Sequence, residues 1–188
     1  MIRRPKTTRR RLHGLSLVEA SVGVAVVGSA LAVFVPVFFR ELRTSRIAEA
    51  PQNLARLHAG AATYFAAAHT DEDGTSRRRC LPAASGRAPR APAAHAQSVQ
   101  FQEESSPGAA TFAALDFEPG EPVYYSYEVS PTRAGCDIEG EGPLLTLRAY
   151  GDLDGDGDES TFERVSAASA DGTTLVSAGA LHVRRRTE

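Results

Sequence analysis

Residues 20–39 carry no charged side chain, and that run limits what the chain can fold into more than any other feature. Twenty helical residues at a rise of about 1.5 Å span about 30 Å, the thickness of one bilayer core. Arg3, Arg4, Lys6, Arg9, Arg10 and Arg11 stand ahead of the run, with no acid among them. Glu19 breaks the apolar pattern at its start. A carboxylate at the edge of a membrane span costs on the order of 3 kcal/mol unless it snorkels or finds a partner. A secretory signal places its small-residue cleavage site beyond the apolar core. Here the small residue, Gly14, comes before it. A cut after Gly14 would remove the cations, keep the helix and create an amine at Leu15, one helical turn from Glu19. At that spacing amine and carboxylate can pair, within one chain or between neighbouring chains.

The order of basic leader, Gly14, Leu15, Glu19 and apolar helix resembles the signal of type IV pilins and of type II secretion pseudopilins. In that family a glycine precedes the cut, an apolar residue follows it, and a glutamate is the fifth mature residue. A proline is common at the twenty-second mature position, which is Pro36 here. The resemblance implies cleavage by a prepilin peptidase after Gly14 and methylation of the Leu15 amine. It also implies a filament core formed by the helix, with Glu19 neutralising a neighbour's terminal amine. An ordinary single-pass anchor would account for the span but not for the order of these residues.

The leader's cations place residues 1–14 in the cytoplasm and the rest of the chain outside the inner membrane. Formal charge over the 188 residues is −2, and the leader holds six of the cations, so the remainder carries −8. That acidity favours solubility and argues against nucleic acid as a main ligand. Cys80 and Cys136 are the only cysteines, an even number in an oxidising compartment. A bridge between them would close a loop of about 57 residues, worth about 4 kcal/mol of chain entropy. Two unpaired buried thiols are the alternative. Pilins commonly close a loop near the C-terminus with a disulfide, and this spacing departs from that.

Residues 15–40 read as a transmembrane or filament-core helix, and residues 41–70 as its amphipathic continuation. Ile47, Leu54, Leu57, Ala61, Tyr64, Phe65 and Ala68 recur at offsets of three, four and seven. Arg40, Glu41, Arg43, Arg46, Glu49, Asn53 and Arg56 form the polar remainder. Pro36 and Pro51 mark kinks. Residues 71–120 read as loop, since 74–110 is rich in Ala, Pro, Arg, Ser and Gly without a period. Arg77, Arg78, Arg79, Arg87 and Arg90 make it basic. No aromatic residue alternates with these arginines, so a solvated face is expected over a nucleic-acid surface. Residues 121–188 read as an antiparallel sheet, with strands at 122–129, 144–150, 161–166 and 173–183, the last interrupted by Gly179. The expected fold class is α+β: a long N-terminal helix packed on a C-terminal antiparallel sheet, the pilin layout.

The acidic loop at 152–163 places Asp152, Asp154 and Asp156 at alternate positions, Gly157 sixth and Glu163 twelfth. This meets the spacing of an EF-hand calcium loop. Alternate residues of a tight turn aim carboxylates inward, and calcium takes six to eight oxygens. Carried over by position, Asp152, Asp154 and Asp156 would bind through side chains and Asp158 through its carbonyl. Ser160 would act through a water and Glu163 with both oxygens. Glu159 stands at the eighth place, where an EF-hand has an apolar residue, and the flanks read as strands. The expectation is therefore a calcium loop between strands, similar to sites in some pilins and pseudopilins, and not an EF-hand domain. His13, His58, His69, His95 and His182 form no metal or triad spacing, and no P-loop or nucleophile elbow is present. No enzyme activity and no small-molecule substrate are expected.

These readings converge on a structural subunit of a type IV pilus-like filament, a minor pilin first and a major pilin as the other form of the same reading. Its partners would be other pilin subunits, the prepilin peptidase and the inner membrane. A pseudopilin of a type II secretion system is one alternative. A membrane-anchored, calcium-binding, adhesin-like domain that never polymerises is another.

Overall fold

Two sequence signals, an uncharged run and an amphipathic stripe, divide the molecule at about residue 43. The computed structural model describes residues 16–71, 73–140 and 142–185. Gly14 and Leu15, the expected cleavage residues, lie outside them. The chain forms two units, Met1–Leu42 and Arg43–Glu188, with a mixed α+β composition.

In the first unit, α1 (Leu17–Ile47) begins and continues through Pro36. Ser16 starts it with a capping box. Its hydroxyl accepts the Glu19 N–H at 3.2 Å, and Glu19 Oε2 accepts the Ser16 N–H and hydroxyl at 2.9 Å each. This reciprocal pairing satisfies donors that a helix start leaves open. Leu17–Phe38 is long and apolar enough to cross a membrane, and its large side chains, from Leu17 to Phe38, are exposed all along it.

In the second unit, α1 ends at Ile47 and α2 (Glu49–Ala66) follows. Pro51 supplies the reason, because its missing N–H would have bonded the Ile47 carbonyl. In the first turn of α2 the same absence costs nothing. Ala50, Leu54, Leu57, Ala61 and Phe65 form the buried stripe of α2. Gly60 permits close approach on the next face, where a Cβ would lie 2.1 Å from the Leu115 carbonyl oxygen.

Three short strands follow: β1 (His69–Thr70), β2 (Ser76–Arg77) and β3 (Gly86–Ala88), then the helix α3 (Ala109–Ala114). The main sheet adds β4 (Ser126–Pro131), β5 (Pro143–Gly151), β6 (Ser160–Ala168), β7 (Leu175–Ser177) and β8 (His182–Arg184). It is antiparallel throughout, in the order β3-β4-β5-β6. β7 and β8 share the outer edge of β6, at Ser166–Ala168 and Thr161–Glu163 respectively. The single strand expected at 173–183 is thus two, divided by Gly179 at φ +105°. α2 covers β5, β6 and β7, over Leu145, Leu147, Ala149, Phe162 and Leu175.

Two expectations are corrected. Glu49 and Asn53 do not belong to the solvated side of the helix. The Glu49 carboxylate accepts the Tyr124 N–H at 3.0 Å, the Tyr125 N–H at 3.4 Å and the Tyr127 hydroxyl at 2.8 Å. Asn53, buried, donates to the same hydroxyl at 2.8 Å. With the Tyr124 and Tyr125 N–H groups on Glu49 and Val123 bridged to Gln97, β4 begins at Ser126 and not at residue 122. Burial raises the Glu49 pKa against the lowering effect of these bonds.

The stretch 74–110, unpatterned in sequence, is not merely a surface loop. It supplies β3, which pairs with β4, and Phe101, which is fully buried. Phe101 meets Phe112 and Phe117 edge-on at 5.2 and 5.1 Å. Both it and Phe117 pack on Tyr127, so these rings form a second lobe of the core. Cys80 and Cys136 are joined by a disulfide. The arginines of this stretch keep the solvent exposure expected of them, and three of them also form ion pairs. Arg77 pairs with Asp71 and Asp137, Arg79 with Glu139, and Arg87 with Glu159.

Candidate functional site

The β5–β6 hairpin carries the acidic loop at its tip. Gly155 and Gly157 adopt φ +78° and +91°, a left-handed conformation that folds the loop back on itself. Asp152 accepts the Gly155 N–H at 2.7 Å and the Gly157 N–H at 3.2 Å. Asp154 accepts the Asp156 N–H at 3.4 Å, and Asp156 the Asp158 N–H at 2.8 Å. These local bonds turn the three carboxylates toward one another, and one oxygen from each lies within 4.8 Å of the others. Calcium–oxygen distances of about 2.3–2.6 Å put opposite ligands about 5 Å apart. The three aspartates are therefore close enough to offer one oxygen each to a single cation.

The other residues of the loop pattern are used differently. Asp158 Oδ1 pairs with Arg185 at 2.8 Å. Both oxygens of Glu159 accept from Arg87 at 3.0 Å. The Arg87 guanidinium lies 3.5 Å over the Tyr150 ring. Ser160 is fully buried and donates to the Gly151 carbonyl at 3.2 Å, so it faces the base of the hairpin and not a water at its tip. Glu163 is three residues into β6, and its Oε2 accepts from Arg148 Nε at 2.7 Å. The structure does not bring it to the aspartates.

Register explains where Glu163 goes. Arg87, Glu128, Arg148, Glu163 and His182 are successive Cα partners across five strands. Charges alternate along the first four members of this row, an arrangement that stabilises neighbouring strands. Tyr150 reinforces it by donating to Glu128 Oε2 at 2.6 Å. Its phenol pKa is raised by burial first and by that carboxylate second. The strands' alternation shows that Glu128, Arg148 and Glu163 point outward, but their register depends on pairings that no single strand reveals. Arg87 was hidden for the same reason. Arginine pairing of Asp158 and Glu159 leaves Asp152, Asp154 and Asp156 as the loop acids outside the salt bridges formed among the described residues.

No family model, curated protein or solved structure matches the chain.

Proposed function

We propose that the chain is a structural subunit, a minor pilin, of a type IV pilus-like filament. One observation carries the reading: Glu19 is the acid at the head of an exposed apolar helix, Leu17–Phe38, directly behind Gly14 and six leader cations. On this reading a prepilin peptidase cuts after Gly14 and methylates the Leu15 amine. The helix holds the subunit in the inner membrane with its C-terminal unit outside, and then enters a core of like helices. Ser16 satisfies Glu19 Oε2 within the chain. Oε1 is the oxygen that a neighbour's amine would meet. The α+β layout, with a helical stripe against an antiparallel sheet, supports the pilin likeness. Incorporation into filaments that fails when Glu19 loses its charge is the test, set out in the Discussion. A type II secretion pseudopilin is the same reading in another machine. A non-polymerising anchored domain would be indifferent to Glu19.

Calcium belongs to the proposal as a stabiliser of the hairpin. Asp152, Asp154 and Asp156 would hold it, and the ion would relieve their mutual repulsion. At a hundredfold excess over its Kd, an ion that binds only the folded chain adds about 2.7 kcal/mol. Calorimetric titration separates this ligand set from the EF-hand set. Asp154→Asn is expected to weaken binding by about tenfold or more, the effect of about 1.4 kcal/mol. Glu163→Gln should leave the affinity unchanged and lower stability by up to about 1 kcal/mol, as for a partly exposed ion pair. A larger loss of affinity in Glu163→Gln than in Asp154→Asn would overturn this assignment.

A further inference from the structure

We infer that His58 is an acid-sensitive lock between α2 and β6. The ring stands on the partly covered flank of α2, and its Nδ1 lies 2.9 Å from the Ser166 hydroxyl. Ser166 is fully buried on β6, so this partly buried contact joins helix to sheet. Arg164 stands two residues earlier in β6, on the same face by strand alternation. Its NH1 donates to Ser177 of β7 at 2.8 Å, while its Nε is buried without a hydrogen-bond acceptor. One turn away on α2, Leu54, Ala55, Ala61 and Ala62 carry no charge. β5 and β7 present Leu145, Leu147, Ala149 and Leu175 to the core. Arg164 is therefore the charge that faces the ring, and it is of the wrong sign for an imidazolium. No carboxylate on these elements offsets it among the described residues.

Either protonation state can bond Ser166 through Nδ1, but partly buried and beside Arg164 the neutral imidazole is favoured over the imidazolium. Burial first, and the Arg164 charge second, push the His58 pKa below its ordinary 6.5. The unfolded chain then takes the proton before the folded one does. The stabilising contribution is complete above the unfolded value and is lost as pH falls through the lower folded value. Acid would therefore loosen α2 from β6. Glu49 has the opposite sign, because its raised pKa favours the folded state in acid. The lock must therefore be read as a difference between wild type and a His58 variant, in which Glu49 cancels.

The experiment uses the full chain in detergent micelles. Denaturant midpoints are measured near pH 7.5 and near pH 5 for wild type and His58→Gln, whose amide can still bond Ser166. The wild-type midpoint is expected to fall more on acidification than that of the variant. In parallel, the His58 ring resonances of the wild type are titrated by NMR and should move at a pH below 6.5. Arg164→Gln should bring that titration upward, which a purely structural role for Arg164 would not do. Equal acid sensitivity in wild type and His58→Gln would overturn the inference, as would a His58 titration at or above the ordinary value. The NMR titration needs no variant and decides the matter even if His58→Gln fails to fold.

Discussion

Replacing Cys80 and Cys136 together by alanine is expected to lower the stability of the C-terminal unit by about 4 kcal/mol. The two positions are 56 residues apart in sequence, and the loop between them contains β3, the Phe101, Phe112 and Phe117 cluster, α3 and β4. Removing the bridge gives the unfolded chain the freedom to open all of that. What else ties the two ends is local: the Asp137 N–H donates to the Arg78 carbonyl at 2.9 Å and the Ile138 N–H to the Arg79 carbonyl at 3.1 Å. Leu81 pairs with Gly135 through two backbone bonds of 2.8 and 2.9 Å. Arg77–Asp137 and Arg79–Glu139 are exposed ion pairs, each worth about 0–1 kcal/mol. A loss of about 4 kcal/mol is a large part of the roughly 5–15 kcal/mol that a domain commands. Denaturant unfolding of wild type and the double variant measures it. A loss under about 1 kcal/mol would mean that the backbone pairing alone holds the ends in register.

The second large effect is functional. Glu19→Ala is expected to leave membrane insertion intact, since it removes a charge from the span, and to abolish entry into filaments. Leaving a buried amine without its carboxylate costs about 3–5 kcal/mol, a reduction in incorporation of on the order of 100-fold or more. The capping box complicates a simple alanine test, because alanine also removes a bond partner of Ser16. Glu19→Gln resolves this. Glutamine can still close the cap at the third helical position, but it cannot neutralise an amine. The filament reading expects Gln to fail as Ala does, with the sheared-filament fraction lacking the subunit in both. Normal incorporation of Glu19→Gln would reduce Glu19 to a helix cap and remove the main support for assembly.

The legible parts of this fold were those whose pattern is local. The uncharged run before residue 40 needs no tertiary information to be read as a helix long and apolar enough to cross a membrane. The stripe at Leu54, Leu57, Ala61 and Phe65 follows from a period of 3.6, and the stretch 144–150 lies within β5 because Leu145, Leu147 and Ala149 alternate. Long-range pairing was not legible. Phe101, Phe112 and Phe117 are isolated aromatics in an unpatterned region, and only the packing on Tyr127 makes them core. Glu49 reads as a surface acid until the Tyr124 and Tyr125 N–H groups arrive from about 75 residues away. At the candidate site, the spacing of Asp152, Asp154 and Asp156 was enough to place three carboxylates together, because an Asp-Gly turn builds itself from neighbouring residues. Glu163 matched the same motif by number alone. Strand register, a non-local property, gives it to Arg148. An EF-hand pattern presumes a helix after the loop, and β6 turns the twelfth position away from the aspartates.

The most direct test of the central claim is the intact mass and N-terminal sequence of the protein recovered from membranes. The filament account predicts a chain that starts at Leu15, with or without one added methyl group on its amine. A chain that still starts at Met1, or one cut beyond residue 36, would contradict it, because neither presents an amine one turn from Glu19 at the head of an intact apolar helix.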